Sequence, residues 1–225
     1  MGTMSVAQNL ACIKETLPEN VTLVAVSKFH PEQVIREAYD AGQRVFGESR
    51  VQELCRKRLQ LPGDIHWHFI GSLQTNKVKD IAPFIELIHS VDSLKLLKEI
   101  DKQAAKNNRV INVLLEIHVA QEPTKHGLTP EESVVLLKSE EFKSLRHVRM
   151  CGIMGMATNT DDETVVRQEF HRLHELFVLL ANECFPSEPS FSILSMGMSH
   201  DYRLAVEEGS TMVRIGTDIF GEREY

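Results

Sequence analysis

Cysteine is scarce in this chain of 225 residues: its four cysteines, Cys12, Cys55, Cys151 and Cys184, are widely spaced and form no C-x-x-C pair. That spacing argues against a disulfide framework or a zinc site and favours a reducing compartment. Long apolar runs are missing as well. None approaches the roughly 18 residues that a membrane span needs. Residues 1–8 contain no basic segment leading into an apolar one, so no secretory signal is expected. Positive charge is also short. The formal net charge is −7, which argues against a nucleic-acid partner, because phosphate backbones call for a clustered basic face. The one basic run, Arg56-Lys57-Arg58, reads as a solvated helix face. No low-complexity stretch or long linker divides the chain, so a single domain over residues 1–225 is expected, cytoplasmic and monomeric, with no membrane partner.

What the sequence does contain is alternation. Short β-branched or apolar runs at 21–27, 44–47, 65–70, 87–91, 113–119, 148–156, 190–195 and 211–215 switch repeatedly to stretches of helical periodicity. Among the latter, 31–41 opens on a proline, 93–106 opens on Ser93, and Thr129-Pro130-Glu131-Glu132 combines an N-cap, an N1 proline and an acidic first turn. The longest, 161–184, carries Val165, Phe170, Leu173, Leu176, Phe177 and Leu180 on one stripe. Strands alternating with helices imply βαβ units and a parallel sheet, and eight strands fit a closed (β/α)₈ barrel of the TIM type better than an open sheet.

Such a barrel carries its functional groups just after the strands, at its C-terminal face. Lys28 follows the first strand. Taken alone, it reads more readily as a charge snorkelling out of a strand end. Held in a barrel mouth, desolvation lowers a lysine pKa and leaves the neutral amine that attacks an aldehyde. Ser195-Met196-Gly197-Met198-Ser199-His200-Asp201 follows the seventh strand, with Asp201 placed to cap a helix over 202–208, and Gly216-Thr217 ends the eighth. Glycines and hydroxyls in these two loops can present donors to an anion, and barrels commonly bind phosphate there. Barrel closure sets the eighth strand beside the first, so both ends of the sequence meet at one place.

These residues resemble those of the pyridoxal-phosphate homeostasis proteins, relatives of the N-terminal barrel of alanine racemase. The resemblance is carried by Ala25-Val26-Ser27-Lys28, Phe46-Gly47-Glu48, Val51-Gln52-Glu53, the block 67–77, Ser90-Val91-Asp92, the loop 195–199 with Asp201, and the block 209–221. It implies pyridoxal 5′-phosphate held as a Schiff base on Lys28. Ser199, Gly216 and Thr217 are then expected at the phosphate, with Met198 in the same loop. Arg214 is expected to face the pyridine nitrogen, on the same strand face as Met212 and Gly216; the alternative is a core arginine paired with Glu48 or Asp92. His68 is expected near the barrel mouth. At Ser49 the family usually has asparagine, so the cofactor contact carried over to that position is the weakest of the set. Lys125, in Glu122-Pro123-Thr124-Lys125-His126-Gly127, resembles a family loop and reads equally as a guide for phosphate or a solvated lysine.

Other clusters read as structural. His66-x-His68 lacks a third ligand, Trp67 is expected to pack opposite His68, and His171 with His174 reads as a helix-surface pair. Two functions compete. One is a non-enzymatic carrier that stores pyridoxal phosphate and delivers it to apo-enzymes; the other is an amino-acid racemase or related enzyme of the same cofactor. A racemase needs a second base, supplied in alanine racemase by a tyrosine of a C-terminal domain. That domain is not expected in a chain ending at Tyr225, and Tyr39, Tyr202 and Tyr225 offer no obvious replacement. The carrier is therefore the expected function.

Overall fold

The computed structural model describes residues 4–120 and 126–222. Eight parallel strands close into a barrel in sequence order: β1 Thr22–Val26, β2 Val45–Glu48, β3 His66–Phe69, β4 Leu87–Val91, β5 Ile111–Ile117, β6 Val148–Gly155, β7 Ile193–Ser195 and β8 Met212–Ile215. All eight fall where the apolar runs predict them. β5 starts two residues earlier than expected and β7 keeps only its last three residues.

The runs are apolar on both faces because both faces are covered. In β1, Val24 points into a small inner cluster with Leu87, Leu114, Cys151, Met154 and Met212. Its neighbours Leu23 and Ala25 join the much larger layer between barrel and helices, with Phe46, Trp67, Ile88 and Val213. Trp67 thus packs outward, 6.0 Å from the Phe46 ring and away from His68.

The helices are α1 Val6–Thr16, α2 Glu32–Asp40, α3 Val51–Gln60, α4 Val78–Ile81, α5 Leu94–Lys106, α6 Pro130–Lys138, α7 Glu140–Lys143, α8 Glu163–Cys184, α9 Tyr202–Glu207 and α10 Thr217–Phe220. Ser93 and Thr129 cap α5 and α6 as expected, Thr129 through a full capping box with Glu132. Helices α1, α4, α7 and α10 are unexpected, and α1 is opened by a capping box between Ser5 and Gln8.

Four local readings change. On α8 it is Val166, not Val165, that is buried, and Phe177 is only partly so. His174 is no bare surface residue: its Nδ1 donates to the Glu208 carbonyl at 2.7 Å. His66, expected to be structural, is exposed at the start of β3. The largest change is at Arg56-Lys57-Arg58. Arg56 and Arg58 are solvated, but Lys57 is fully buried, because α3 turns that side toward the barrel.

Candidate functional site

Closure of the barrel pairs Val24 with Arg214 and Ala25 with Ile215. The chain leaves β1 in a tight turn in which the His30 N–H donates to the Ser27 carbonyl at 3.1 Å. Lys28, half-buried, occupies the second position of that turn, and Phe29 the third.

The loop after β7 is shaped by Gly197, whose φ of +101° and close approach to α9 exclude a side chain: a Cβ there would lie 2.7 Å from that of Ala205. Asp201 does not cap α9. Its carboxylate reaches back instead and accepts from the Met198 N–H at 2.6 Å, closing the loop on itself. Half-buried Met198 and Ser199 follow Gly197 on that loop. At the end of β8, Gly216 lies so close to β1 that a Cβ would meet the Val26 carbonyl at 3.0 Å. Its N–H donates to the Ser199 hydroxyl at 3.4 Å, which ties the two loops together. Thr217, exposed, opens α10. The first N–H groups of a helix lack internal acceptors and suit an anion. Ser199, Gly216, Thr217 and the end of β1 therefore converge as the sequence predicts. Ser49 is half-buried in the bend after β2, with its backbone packed on Gly71 of the neighbouring loop. Lys125 and Tyr225 lie outside the described residues.

Arg214 is buried and bonded to neither Glu48 nor Asp92. Its Nη1 donates to the Ser195 carbonyl at 2.9 Å and to the Ser195 hydroxyl at 2.7 Å, and its Nη2 donates to the Gly155 carbonyl at 3.2 Å. These bonds use three of the five guanidinium donors, leaving two without a protein partner among the described residues. Burial lowers its pKa to about 10 against the opposing pull of Asp201 and Glu116, so it stays charged at neutral pH.

From Arg214 a polar chain runs through the barrel interior. The Ser195 hydroxyl lies 3.0 Å from His89 Nδ1, and His89 Nε2 lies 3.0 Å from His68 Nδ1. Burial drives the His68 pKa down to about 3 and that of His89 well below the ordinary value, so both rings are neutral. The hydrogen-bond balance then assigns the tautomers. Ser195 accepts from Arg214 and donates to His89 Nδ1; His89 donates through Nε2 to His68 Nδ1, and His68 keeps its proton on Nε2. The expected place of His68 is thereby corrected. It is not at the mouth but deep on the opposite side, lining a cleft of about 310 Å³ with Thr22, Val45, Leu87, Asn112 and Met212, most of them at strand starts. His89 escaped sequence reasoning, although strand alternation places it on the inward face with Leu87. Ser195, expected among the loop hydroxyls that face an anion, is instead buried at the end of β7 with its hydroxyl on Arg214 and His89.

On the helix side of the wall, behind Lys28, Lys57 contacts Glu48 and Glu53. This group too was missed. Among the tyrosines, Tyr39 donates to Asp64 on the surface, and the Tyr202 hydroxyl lies 3.0 Å from that of Thr16.

Comparison with known proteins agrees with this geometry. The sequence profile of the alanine racemase N-terminal domain matches residues 3–224. A pyridoxal phosphate homeostasis protein of Aquifex aeolicus is 45% identical over 217 residues, covering 96% of this chain and 93% of its own length. One from Schizosaccharomyces pombe is 38% identical, covering 91% and 85%. PipY of Synechococcus elongatus, solved with pyridoxal phosphate bound, superposes with a TM-score of 0.87 at 36% identity, over 96% of this chain and all of that one. Alanine racemase of Clostridium difficile, at 17% identity, superposes with a TM-score of 0.76 over 98% of this chain and 57% of its own, a likeness of fold alone. The chain is a member of the alanine racemase N-terminal domain family and groups within it with the pyridoxal phosphate homeostasis proteins.

Proposed function

We propose that this protein holds pyridoxal 5′-phosphate at the C-terminal end of its barrel, bound covalently through Lys28, and acts as a reservoir that passes the cofactor to apo-enzymes. The observation that carries this reading is the closure of β8 on β1, which sets the turn bearing Lys28 beside the two loops joined by Ser199 and Gly216. The residues fit the group. Ser199, Gly216 and Thr217 offer donors for a phosphate, Arg214 retains free donors for a ring nitrogen, and Lys28 supplies an amine for an aldehyde. When bound, pyridoxal phosphate supplies an aldehyde that condenses with an amine, with loss of water, and a ring that can withdraw electrons.

The residues of this chain favour holding over turnover. Arg214 can only donate, so it meets the ring nitrogen in its unprotonated form, the weaker electron sink. Racemisation needs a second base on the opposite face of the substrate. The hydroxyls of Tyr39 and Tyr202 are both engaged away from Lys28. The names of the relatives, homeostasis proteins from a bacterium and a yeast among them, support the same reading.

The test is spectroscopic. Mixing the protein with pyridoxal phosphate is expected to raise a band at ~420 nm, as lysine Schiff bases do, lost on borohydride treatment and absent in Lys28→Ala. The loaded protein is expected to restore activity to an apo-enzyme while catalysing no α-deuterium exchange on amino acids. A band that survives in Lys28→Ala refutes the covalent role, and robust exchange refutes the reservoir.

A further inference from the structure

Lys57, Glu48 and Glu53 form a buried group directly behind the turn that carries Lys28. The Lys57 ammonium donates to the Ser27 carbonyl at 2.7 Å, to Glu48 Oε1 at 2.8 Å and to Glu53 Oε1 at 2.7 Å, which uses all three of its donors. The same two carboxylate oxygens reach on to the turn. Glu48 Oε1 accepts from the Ser27 hydroxyl at 2.6 Å, and Glu53 Oε1 accepts from the Phe29 N–H at 2.7 Å. The residues held are thus the immediate neighbours of Lys28 on both sides.

The turn needs holding. Phe29 has a φ of +68° at the third position, where turns that require a positive φ normally take glycine. A bulky residue persists in that region only when its surroundings over-determine it, and such residues gather at functional sites. A second hold acts on the ring, over which the Arg50 guanidinium lies at 4.6 Å. Stability does not explain the group. Apolar residues of similar volume commonly serve as well as a buried ion cluster or better, and the second Glu48 oxygen is buried with no hydrogen-bond partner among the described residues.

We propose that Glu48, Lys57 and Glu53 are positioning residues for Lys28: by clamping Ser27 and Phe29 they hold the turn left-handed and fix the direction in which the Lys28 side chain leaves it. None of the three is assigned contact with the cofactor; they act through the backbone. This inference rests on the covalent role proposed for Lys28.

The experiment compares the wild-type chain, Glu53→Met, Lys57→Met, and Glu53→Met combined with Phe29→Gly. Each is mixed with pyridoxal phosphate, and the rate of the ~420 nm band is followed. Borohydride-trapped adducts are located by peptide mass, and rates are normalised to the folded fraction read from Trp67 fluorescence. Capture at Lys28 is expected to slow roughly tenfold or more in Glu53→Met, which removes the carboxylate acceptor of the Phe29 N–H, and in Lys57→Met. Part of the loss is expected to return in the double variant, since glycine adopts the left-handed turn unaided. A residue that merely stabilised the fold would change the folded fraction and leave the normalised rate alone. Should Lys57→Met not fold, the two Glu53 variants decide. Wild-type rates in folded Glu53→Met overturn the inference, as does a slow rate that Phe29→Gly leaves equally slow. If the wild-type chain itself forms no adduct on Lys28, the covalent reading fails and the inference falls with it; if only the variants contradict expectation, the covalent reading stands.

Discussion

Acidification should expose the neutral state of His68. The ordinary histidine pKa of 6.5 falls to about 3 in the folded protein, chiefly through burial. Between those values the unfolded chain binds a proton that the folded chain refuses. Stability therefore drops as the pH falls below 6.5, and the loss is complete near 3. From about pH 7.5 to about pH 5 the linkage amounts to about 2 kcal/mol for this one ring. His89 shifts in the same direction. Glu48 acts in the opposite sense: burial pushes its pKa from 4.5 up to about 7, so acidification relieves part of its cost. The wild-type curve sums these with Glu116, whose pKa burial also raises, so His68 is read from a difference between two chains. His68→Asn keeps an acceptor where Nδ1 stands and removes the titration. The variant should be less stable at neutral pH, and the gap to wild type should close by about 2 kcal/mol on going to about pH 5. Urea unfolding followed through the single tryptophan, buried Trp67, supplies the assay. Two curves running parallel across that range would show that His68 titrates in the folded chain as it does in the unfolded one, and the neutral histidine chain would be refuted.

Two further outcomes concern the barrel mouth and its core. Gly197→Ala places a Cβ 2.7 Å from that of Ala205 at a φ of +101°, and is expected to cost roughly 1–3 kcal/mol and to weaken inorganic phosphate binding in a titration; an unchanged midpoint would mean that the loop does not need its left-handed residue. Arg214→Lys should cost roughly 2–4 kcal/mol in urea unfolding even without cofactor, because a point charge cannot bridge the Gly155 and Ser195 carbonyls that the planar guanidinium joins. Wild-type stability in that variant would show that the bridge between β6 and β7 carries no load.

Much of the fold is legible in the sequence. Strands covered on both sides read as unbroken apolar runs, which is why all eight were found. Their ends blurred, as at β7, because apolar residues continue past the last ladder bond. The convergence of Lys28, Ser199, Gly216 and Thr217 at one end of the barrel is legible because barrel closure sets the last strand beside the first. Depth is not. Alternation set His68 opposite Trp67, but how far down the barrel a side chain lies depends on the stagger between strands, which no local pattern reports. Lys57 was misread because a run of three basic residues resembles a solvated face. The discordant sign was its helical spacing, with buried Leu54 three residues before it and Glu53 four. Asp201 looked like a cap by position and type, yet the tight loop after Gly197 offered the Met198 N–H first.

The pairing of β1 with β8 joins Thr22 to Met212, and it orders events on the ribosome. A nascent chain presents Lys28 early, while one edge of β1 still lacks its neighbour. That edge stays unsatisfied until β8 is made, and the loops at 196–201 and 216–217 emerge long after Lys28. On the role proposed for Lys28, a phosphorylated aldehyde would meet its full set of partners only once the ring is complete.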